Sequence, residues 1–580
     1  MTILGISCYY HDSAAALIRD GKLIAAAHEE RFTRTKHDPE FPKNAIAYCL
    51  REAGIGIADI DFIGFYDKPL LKFDRILQTY IATWPRSYAS FIKAMPVWVK
   101  EKMWIPQMIK KYLGYDGPVL FSEHHISHAA SAFLVSPFES AAILTMDGVG
   151  EWDTTTYGLG NGTDITLLKS IEFPHSLGLF YSAFTYYLGF RVNSAEYKVM
   201  GLAPYGKPIY YETITRELID IRDDGSFHLN MKYFVYDWAL RMTGSRFDAL
   251  FGHPRRQPES PLEQFHKDVA ASLQKATDEV VLRAAMHLHH ETKSLNLCMA
   301  GGVALNCVAN SRVLALTPFK KIFIQPAAGD AGGAVGVAYY IYNTLLGNRR
   351  NFTWEHAFLG PSFSTDEIHT FLRDQQIPYE DLSDNELLPR IATYIMNQKV
   401  IGWFQGRMEY GPRALGSRSI IADARNPENW QRVNLKIKFR ESFRPFAPTV
   451  LYDQSDKYFD FPEPSPYMLF TAQVHEDRRK EIPAVTHVDG SARLQTIARN
   501  QHPKYYDLIH EFYNKSGCPV IINTSFNVRG EPIVCTPEDA FRCFINTDMD
   551  ILVLGNCVIE KGKINTDQIR QRYATTYSPD

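Results

Sequence analysis

AAILTMDGVGEWDTTTYGLGNGTDITLLKSIEF, residues 141–173, holds an apolar strand that ends in an acidic turn at Asp147, and a strand pair follows that turns around Gly160-Asn161-Gly162. The amino-terminal stretch has a similar layout. TILGISCYY (2–10) runs into His11 and Asp12, and AAALIRDGKLIAAAHEE (14–30) reads as two strands joined at Asp20-Gly21, a dipeptide suited to a tight hairpin turn.

Two copies of a strand, acidic turn, strand unit point to a duplicated, actin-like (ASKHA) ATPase-type α/β architecture, in which paired acidic loops face one nucleotide. Two unrelated hairpins in a mixed α/β protein would give the same spacing. Apolar positions at helical spacing over 40–55 and 264–295 predict packed helices. A polar stretch at 346–356 follows the small-residue helix AGGAVGVAYYIYNTLL, and a new run of strands and helices starts from about 357. The expected domains are therefore 1–356 and 357–580. Aromatic-rich 76–115 reads as an amphipathic helical insertion or a homodimer surface, with a lid beside an acceptor pocket as the alternative.

With 580 residues, 45% hydrophobic and 22% charged, the chain has the composition of a globular protein of two or more domains. A net charge of -3 gives no global reason to bind nucleic acid or an anionic membrane. The eight cysteines are scattered without a CxxC pair, which speaks against a disulfide framework and a zinc ribbon. No apolar run has the length of a signal region or a membrane span. The expectation is a cytoplasmic protein with no membrane and no nucleic-acid partner.

SEHHISHAASAF (122–133) places His124 and His128 four apart, so that on a helix both imidazoles share a face and can bind one metal, while His125 points elsewhere. Ordinary hydrogen-bonded histidines are the alternative. Asp147, in MDGVGE, and Asp330, in PAAGDAGGA after KIFIQ, are read as strand-end carboxylates. Two imidazoles and two carboxylates form a mixed N/O set that suits Fe, Mn or Zn.

Glycine-rich turns supply candidate phosphate cradles. MAGGVALNC (299–307) offers Gly301, Gly302 and Asn306 to a nucleotide, and PAAGDAGGAVG (326–336) repeats the same physics. NSAEYKVMGLAPYGKP (193–208), with Glu196 and Lys198, reads as a loop able to close over an acceptor or nucleotide. Arg31, Arg34, Lys36 and His37 in HEERFTRTKHDPEFP (28–42) provide positive charge for a phosphate, with solvated surface charge as the alternative.

The carboxy-terminal part is denser in cations: Arg407, Arg413 and Arg418 in QGRMEYGPRALGSRS (405–419), then Lys436, Lys438, Arg440 and Arg444 in NLKIKFRESFRPFAP (434–448). Read as an extended segment, alternation puts Lys436, Lys438 and Arg440 on one face. Such clustering calls for an anionic ligand, and a polyphosphate fits better than RNA. Arg493, Asn523, Thr524 and Arg529 complete a polar pocket.

YYHDSAAAL, EERFTRTKHD, EHHISHAASAF, MDGVGE, EYKVMGLAPYG, AGGVALNC, GDAGGA, EYGPRALGSRS, FRESFRPFAP and NTSFNVRGEP, in this order and across nearly the whole chain, resemble the NodU/CmcH-type O-carbamoyltransferases. That family includes tobramycin, ansamycin, cephalosporin-precursor and nodulation-factor carbamoyltransferases. The resemblance implies an actin-like amino-terminal domain and a smaller YrdC-like α/β domain. The latter would join carbamate from carbamoyl phosphate to the AMP part of ATP, supplied with Mg, and carbamoyl-adenylate would then serve transfer to a small-molecule hydroxyl in the amino-terminal domain.

By the same resemblance His124, His128, Asp147 and Asp330 would bind Fe(II) or a similar divalent metal, and His11, Asp12 and Lys36 would form the transfer site. Lys438, Arg413, Arg444, Arg493, Asn523 and Arg529, with neighbouring Thr524, would gather carbamoyl phosphate and nucleotide. His11 or Asp12 would remove the acceptor's hydroxyl proton, His11 being the better base on the ordinary pKa of imidazole. An enclosed route between the two sites would protect the labile intermediate. Two rivals stand beside this reading: a tRNA threonylcarbamoylation-type enzyme, which needs a basic RNA-binding face, and a non-catalytic nucleotide-binding regulator.

Overall fold

A computed structural model describes residues 1–441 and 443–573. The chain divides into two compact units. The first comprises Met1–Glu29 and His37–Trp354; the second comprises Glu30–Lys36 and Glu355–Asp580.

The first unit contains two five-stranded sheets. One is built from β1 (Thr2–Ser7), β2 (Ala14–Arg19), β3 (Lys22–His28), β4 (Phe62–Phe65) and β5 (Val119–Phe121) in the order β3-β2-β1-β4-β5. β2 and β3 form the expected hairpin, with Asp20 and Gly21 both at positive φ, as its tight turn requires. The other sheet uses β6 (Ser140–Met146), β7 (Asp153–Asn161) and β8 (Asp164–Glu172). Past a small hairpin, β9 (Ile219–Ile221) and β10 (Phe227–Leu229), it adds β11 (Asn296–Ala300) and β12 (Lys321–Phe323). Its order is β12-β11-β6-β7-β8.

In each sheet the first strand pairs antiparallel with the second and parallel with the fourth, and the second and third form a hairpin. The two sheets thus repeat one topology, the duplicated arrangement of actin-like ATPases. Their first strands are buried over TILGIS and over the AAILTM of β6, and mostly apolar there, because both faces are covered.

Small residues set how closely the layers pack. A Cβ on Gly5 would lie 1.8 Å from the Ala334 carbonyl oxygen, and one on Gly336 would lie 1.8 Å from that of Ser127. The helix Ala331–Tyr339 therefore lies with its backbone against β1 and against the helix His124–Phe133. Helices also form over Lys43–Ala53 and Gln264–Thr292, where the periodicity predicts them.

The 76–115 region forms helices within Pro69–Ala82, Tyr88–Val97 and Ile105–Leu113, and Ile81, Trp84, Tyr88, Ile92 and Trp104 are exposed on it. Residues 193–208 are not the loop expected: Glu196–Leu202 is helical and Ala203–Tyr205 continues as a tight turn. Lys198, Val199 and Leu202 are buried, so burial of one helical face overrides the turn residues at either end. No helix of the described residues is long and apolar enough to cross a membrane.

The second unit is one mixed sheet of ten strands. In chain order they are β13 (Glu380–Asp381), β14 (Ile401–Phe404), β15 (Arg418–Asp423), β16 (Ala447–Leu451), β17 (Phe459–Asp460), β18 (Phe470–Val474), β19 (Ser491–Ile497), β20 (Val520–Ser525), β21 (Ile551–Leu554) and β22 (Cys557–Glu560). The spatial order is β13-β22-β21-β14-β15-β20-β16-β19-β18-β17. One large apolar cluster, including Trp403, Ile421, Val450, Phe512 and Leu552, fills its core.

Residues 428–437 are helical instead of extended. Burial at Asn429, Val433, Asn434, Ile437 and Lys438 follows a three-to-four-residue period, and that period defeats the alternation read for Lys436, Lys438 and Arg440.

Candidate functional site

Four polar groups converge in the core of the first unit. His124 and His128 lie on one face of their helix with their Nε2 atoms 3.1 Å apart. His124 Nε2 is 3.1 Å from Asp147 Oδ2 and 3.8 Å from Asp330 Oδ1; His128 Nε2 is 3.8 and 3.6 Å from the same two oxygens. All four residues are buried, and one ligand atom from each falls within 4.8 Å of the others.

Local structure aims each group. Asp147 follows β6, and its Oδ1 accepts from the Gly302 N–H at 2.7 Å, which leaves Oδ2 turned to the imidazoles. Gly301 makes this possible: its φ is +92°, and a Cβ there would meet the Met146 carbonyl oxygen at 2.2 Å. Asp330 is not a strand-end residue as expected but the N-cap of the helix Ala331–Tyr339, so the glycine-rich packing of that helix carries it to His128. His125 points away and bonds Thr145 Oγ1 at 2.6 Å.

Among the described residues neither oxygen of Asp330 has a hydrogen-bond donor, although the side chain is fully buried. An ionised carboxylate in that condition costs on the order of several kcal/mol unless charge compensates it. Burial pushes His128 down, but Asp147 and Asp330 outweigh it and raise its pKa to about 9. Burial pushes Asp147 up, and the two histidines reverse this, holding it well below the usual carboxylate range. His125 is driven far below the ordinary imidazole value by burial and by its two histidine neighbours, and so is neutral. Two inward-facing imidazoles, two carboxylates and an acceptor without a donor are a donor set that fits a divalent cation.

Beside the quartet, Asp12 bridges two histidines. Its Oδ2 is 3.1 Å from His11 Nδ1, and its Oδ1 is 2.7 Å from His37 Nδ1. His11 Nε2 lies 3.8 Å from Asp330 Oδ2, while His37 Nε2 lies 3.1 Å from Ser194 Oγ. The sequence reading treats His37 only as a source of positive charge and leaves Ser194 aside; the HxxxH-like regularity that marks His124 has no counterpart here. Lys36, expected with His11 and Asp12, belongs to the second unit. Of the phosphate-cradle candidates, Gly302 already donates to Asp147, and Asn306 caps the helix Cys307–Leu316 by accepting from the Ala309 N–H.

In the second unit four arginines of the basic signature are bound to groups of their own unit. Arg418 is fully buried, donates to the carbonyls of Gln405 and Pro361, and stacks over Phe404. Arg407 donates to the Leu359 carbonyl. Arg31 donates to the Gly411 carbonyl and pairs with Glu30; Arg34 pairs with Glu531 at 3.0 Å and donates to the Ile533 and Pro532 carbonyls. These four serve the fold.

Glu409 Oε1 accepts from the N–H groups of Leu415, Ser417 and Arg418 and so fixes the loop that carries Arg413. That loop lies on one sheet face, where Asn523 donates to the Ala414 carbonyl and Gln495 to that of Leu415. Asn523 also donates to Gln495 Oε1 at 2.8 Å, and Arg493 shares the Gln495 side of β19 by alternation. Thr524 follows Asn523 on β20.

Lys438 caps the helical segment 428–437. Its Nζ is bound by the Ser525 and Asn527 carbonyls and both their side chains, at 2.5–3.1 Å. Burial, with Arg440 adding to it, pulls the Lys438 ammonium well below its ordinary pKa. Arg444 and Arg529 flank Glu441 at 3.8 and 3.7 Å, and the Arg529 N–H donates to the Lys438 carbonyl. Asn523 thus holds the loop beside Arg413 on the face of the sheet that Arg493 shares, and Arg444 and Arg529 lie about Glu441 next to Lys438.

A family model described as Carbamoyltransferase N-terminus matches residues 2–339, and one described as Carbamoyltransferase C-terminus matches residues 392–561. Protein sll1178 of Synechocystis sp. is 53% identical, covering 96% of this chain and 96% of its own length. Nodulation protein NolNO of Sinorhizobium fredii is 37% identical, covering 95% of this chain and 79% of its own. Among solved structures, T. kodakarensis HypF is similar with a TM-score of 0.31 and 15% identity, covering 58% of this chain and 47% of that one, a distant likeness from which nothing further follows.

Proposed function

The chain belongs to the carbamoyltransferase family, and from that membership we propose an ATP-dependent O-carbamoyltransferase that forms carbamoyl-adenylate from carbamoyl phosphate and ATP and passes the carbamoyl group to a hydroxyl of a small natural-product acceptor. Enzymatic carbamoyl transfer, which the family carries, sets aside the reading as a non-catalytic regulator. The buried quartet around the donor-less Asp330 is the observation that carries the proposal, because a regulator or a plain nucleotide-binding scaffold has no use for it.

His124, His128, Asp147 and Asp330 would hold a divalent ion, iron in the reading taken from the resemblance. Once bound, that ion supplies Lewis-acid stabilisation of negative charge that develops on the carbamoyl donor. The protein's own groups do the rest. Arg413, Arg493, Arg444 and Arg529 would neutralise the phosphates of carbamoyl phosphate and ATP, with Asn523, Thr524 and Lys438 as the polar groups among them. Carbamate is a poor electrophile because its carbonyl is resonance-stabilised; a mixed anhydride with AMP gives it a good leaving group. Transfer then needs a base for the acceptor's hydroxyl proton.

The test is incubation with ATP, isotopically labelled carbamoyl phosphate and a panel of alcohols (sugars, aminoglycosides, macrolides), read by mass spectrometry. A product heavier by one labelled carbamoyl group, formed only with ATP, is expected. Carbamoyl product formed equally well without ATP would remove the adenylate from the scheme.

A further inference from the structure

Resting on that reading of the reaction, we propose that His37, and not His11, is the general base for the acceptor's hydroxyl, and that Asp12 is the carboxylate that orients it. Three residues from distant parts of the first unit form one hydrogen-bonded chain. Asp12 Oδ1 stands 2.7 Å from His37 Nδ1, and His37 Nε2 stands 3.1 Å from Ser194 Oγ. A carboxylate can only accept, so the imidazole carries a proton on Nδ1, and in the neutral tautomer that follows the Nε2 lone pair faces the Ser194 hydroxyl. A hydroxyl within hydrogen-bond reach of an oriented, unprotonated nitrogen is the arrangement that proton abstraction from an alcohol requires.

His11 lacks that freedom. Its Nδ1 faces Asp12 Oδ2 at 3.1 Å, and its Nε2 is turned towards the buried quartet, with Asp330 Oδ2 at 3.8 Å, so no hydroxyl of the protein marks an acceptor position at either nitrogen. The side chains of His37 and Asp12 are about a quarter exposed, 25% and 27%, so an acceptor can reach them.

The backbone supplies a second, independent observation. Asp12, His37 and Asn193, the residue before Ser194, have φ of 54°, 55° and 61°. Each is a left-handed conformation, which Asp, His and Asn enter more readily than other non-glycine residues. Three such residues, from three separate segments, meet at this one chain, and non-glycine residues held in this region gather at functional sites.

In the step itself the acceptor's hydroxyl takes the position that Ser194 Oγ marks. Its proton passes to His37 Nε2, and its oxygen lone pair forms the bond to the carbamoyl carbon. The bond from that carbon to the phosphate oxygen breaks, and its electron pair leaves with AMP. Asp12 stabilises the imidazolium, which then loses its proton to solvent.

Two measurements test this on the full-length protein. Diethyl pyrocarbonate, which acylates unprotonated imidazole, followed by peptide mapping, should modify His37 at least tenfold faster than exposed His290. Asp12→Asn should cut that rate tenfold or more, and Ser194→Ala should leave it equal or faster. On any acceptor that the wild-type protein carbamoylates, His37→Gln should lower kcat by about 10²–10⁴ with KM within threefold, and added imidazole should restore part of the activity of His37→Ala. A His37 no more reactive than His290, a His37→Gln variant with wild-type kcat, or a fluorophosphonate or carbamoyl adduct on Ser194 would each overturn the assignment, the last by making the serine a nucleophile. If His37 labels as expected while no acceptor is carbamoylated, the proposed overall reaction fails and the activated histidine stands.

Discussion

The two units treat charge in opposite ways. In the first, few ionisable residues matter, but they are buried together and one carboxylate is left without a donor. In the second, cations abound, yet Arg31, Arg34, Arg407 and Arg418 are bound to carbonyls and carboxylates of their own unit, and Lys438 to four oxygens. A buried polar group needs a partner wherever it lies. The density of charge in a sequence therefore says little about a site; the balance of partners after folding says much more.

The sharpest way to break this contrast is the metal quartet. His124→Ala combined with His128→Ala should lower the divalent metal retained by purified protein from about one ion per chain to background, read by elemental analysis. Unchanged metal content would remove the distinction between the units. Next in size, Arg34→Met leaves Glu531, 1% exposed, without its guanidinium, and the second unit should lose about 3–5 kcal/mol in denaturant unfolding. A loss under 1 kcal/mol would mean that the Arg34–Glu531 pair is not what holds the second unit's buried charge.

Gln495→Leu strips the buried Thr449 hydroxyl and Asn523 amide of their shared acceptor and should cost about 1–3 kcal/mol, again in denaturant. The smallest change, Gly301→Ala, forces a side chain into a left-handed backbone position and should cost at least about 1–2 kcal/mol. It should also weaken metal retention, because the neighbouring Gly302 N–H holds Asp147. Full retention with full stability would show that the turn does not position the carboxylate.

The parts legible in sequence were those with short-range regularity. A four-residue spacing puts His124 and His128 on one helical face, and apolar runs ending in acidic turns announce β1 and β6. Asp330 could be named, but its position at a helix start depends on how closely Gly332, Gly333 and Gly336 allow that helix to pack, which is a tertiary property. The run Lys436, Lys438, Arg440 was misread because alternating cations suggest a strand, whereas Val433, Asn434 and Ile437 are buried with helical period. Arg418 looks identical to Arg413 in sequence; only the carbonyls of Gln405 and Pro361 show that one of them is an internal strut. The Asp12, His37, Ser194 chain joins positions 25 and 157 residues apart, beyond the reach of any local pattern.

The seven residues Glu30–Lys36 make the polypeptide pass between the units three times, at 29/30, 36/37 and 354/355. Phe32 packs against Met408, Ile533 and Cys535, and Arg34 pairs with Glu531, so part of the second unit's interior comes from a segment far upstream of the rest of it. A polypeptide starting at residue 355 would have that wedge and that counter-charge missing. Recombination between relatives would have to exchange both stretches together, which makes the pair heritable as a single piece instead of two interchangeable cassettes.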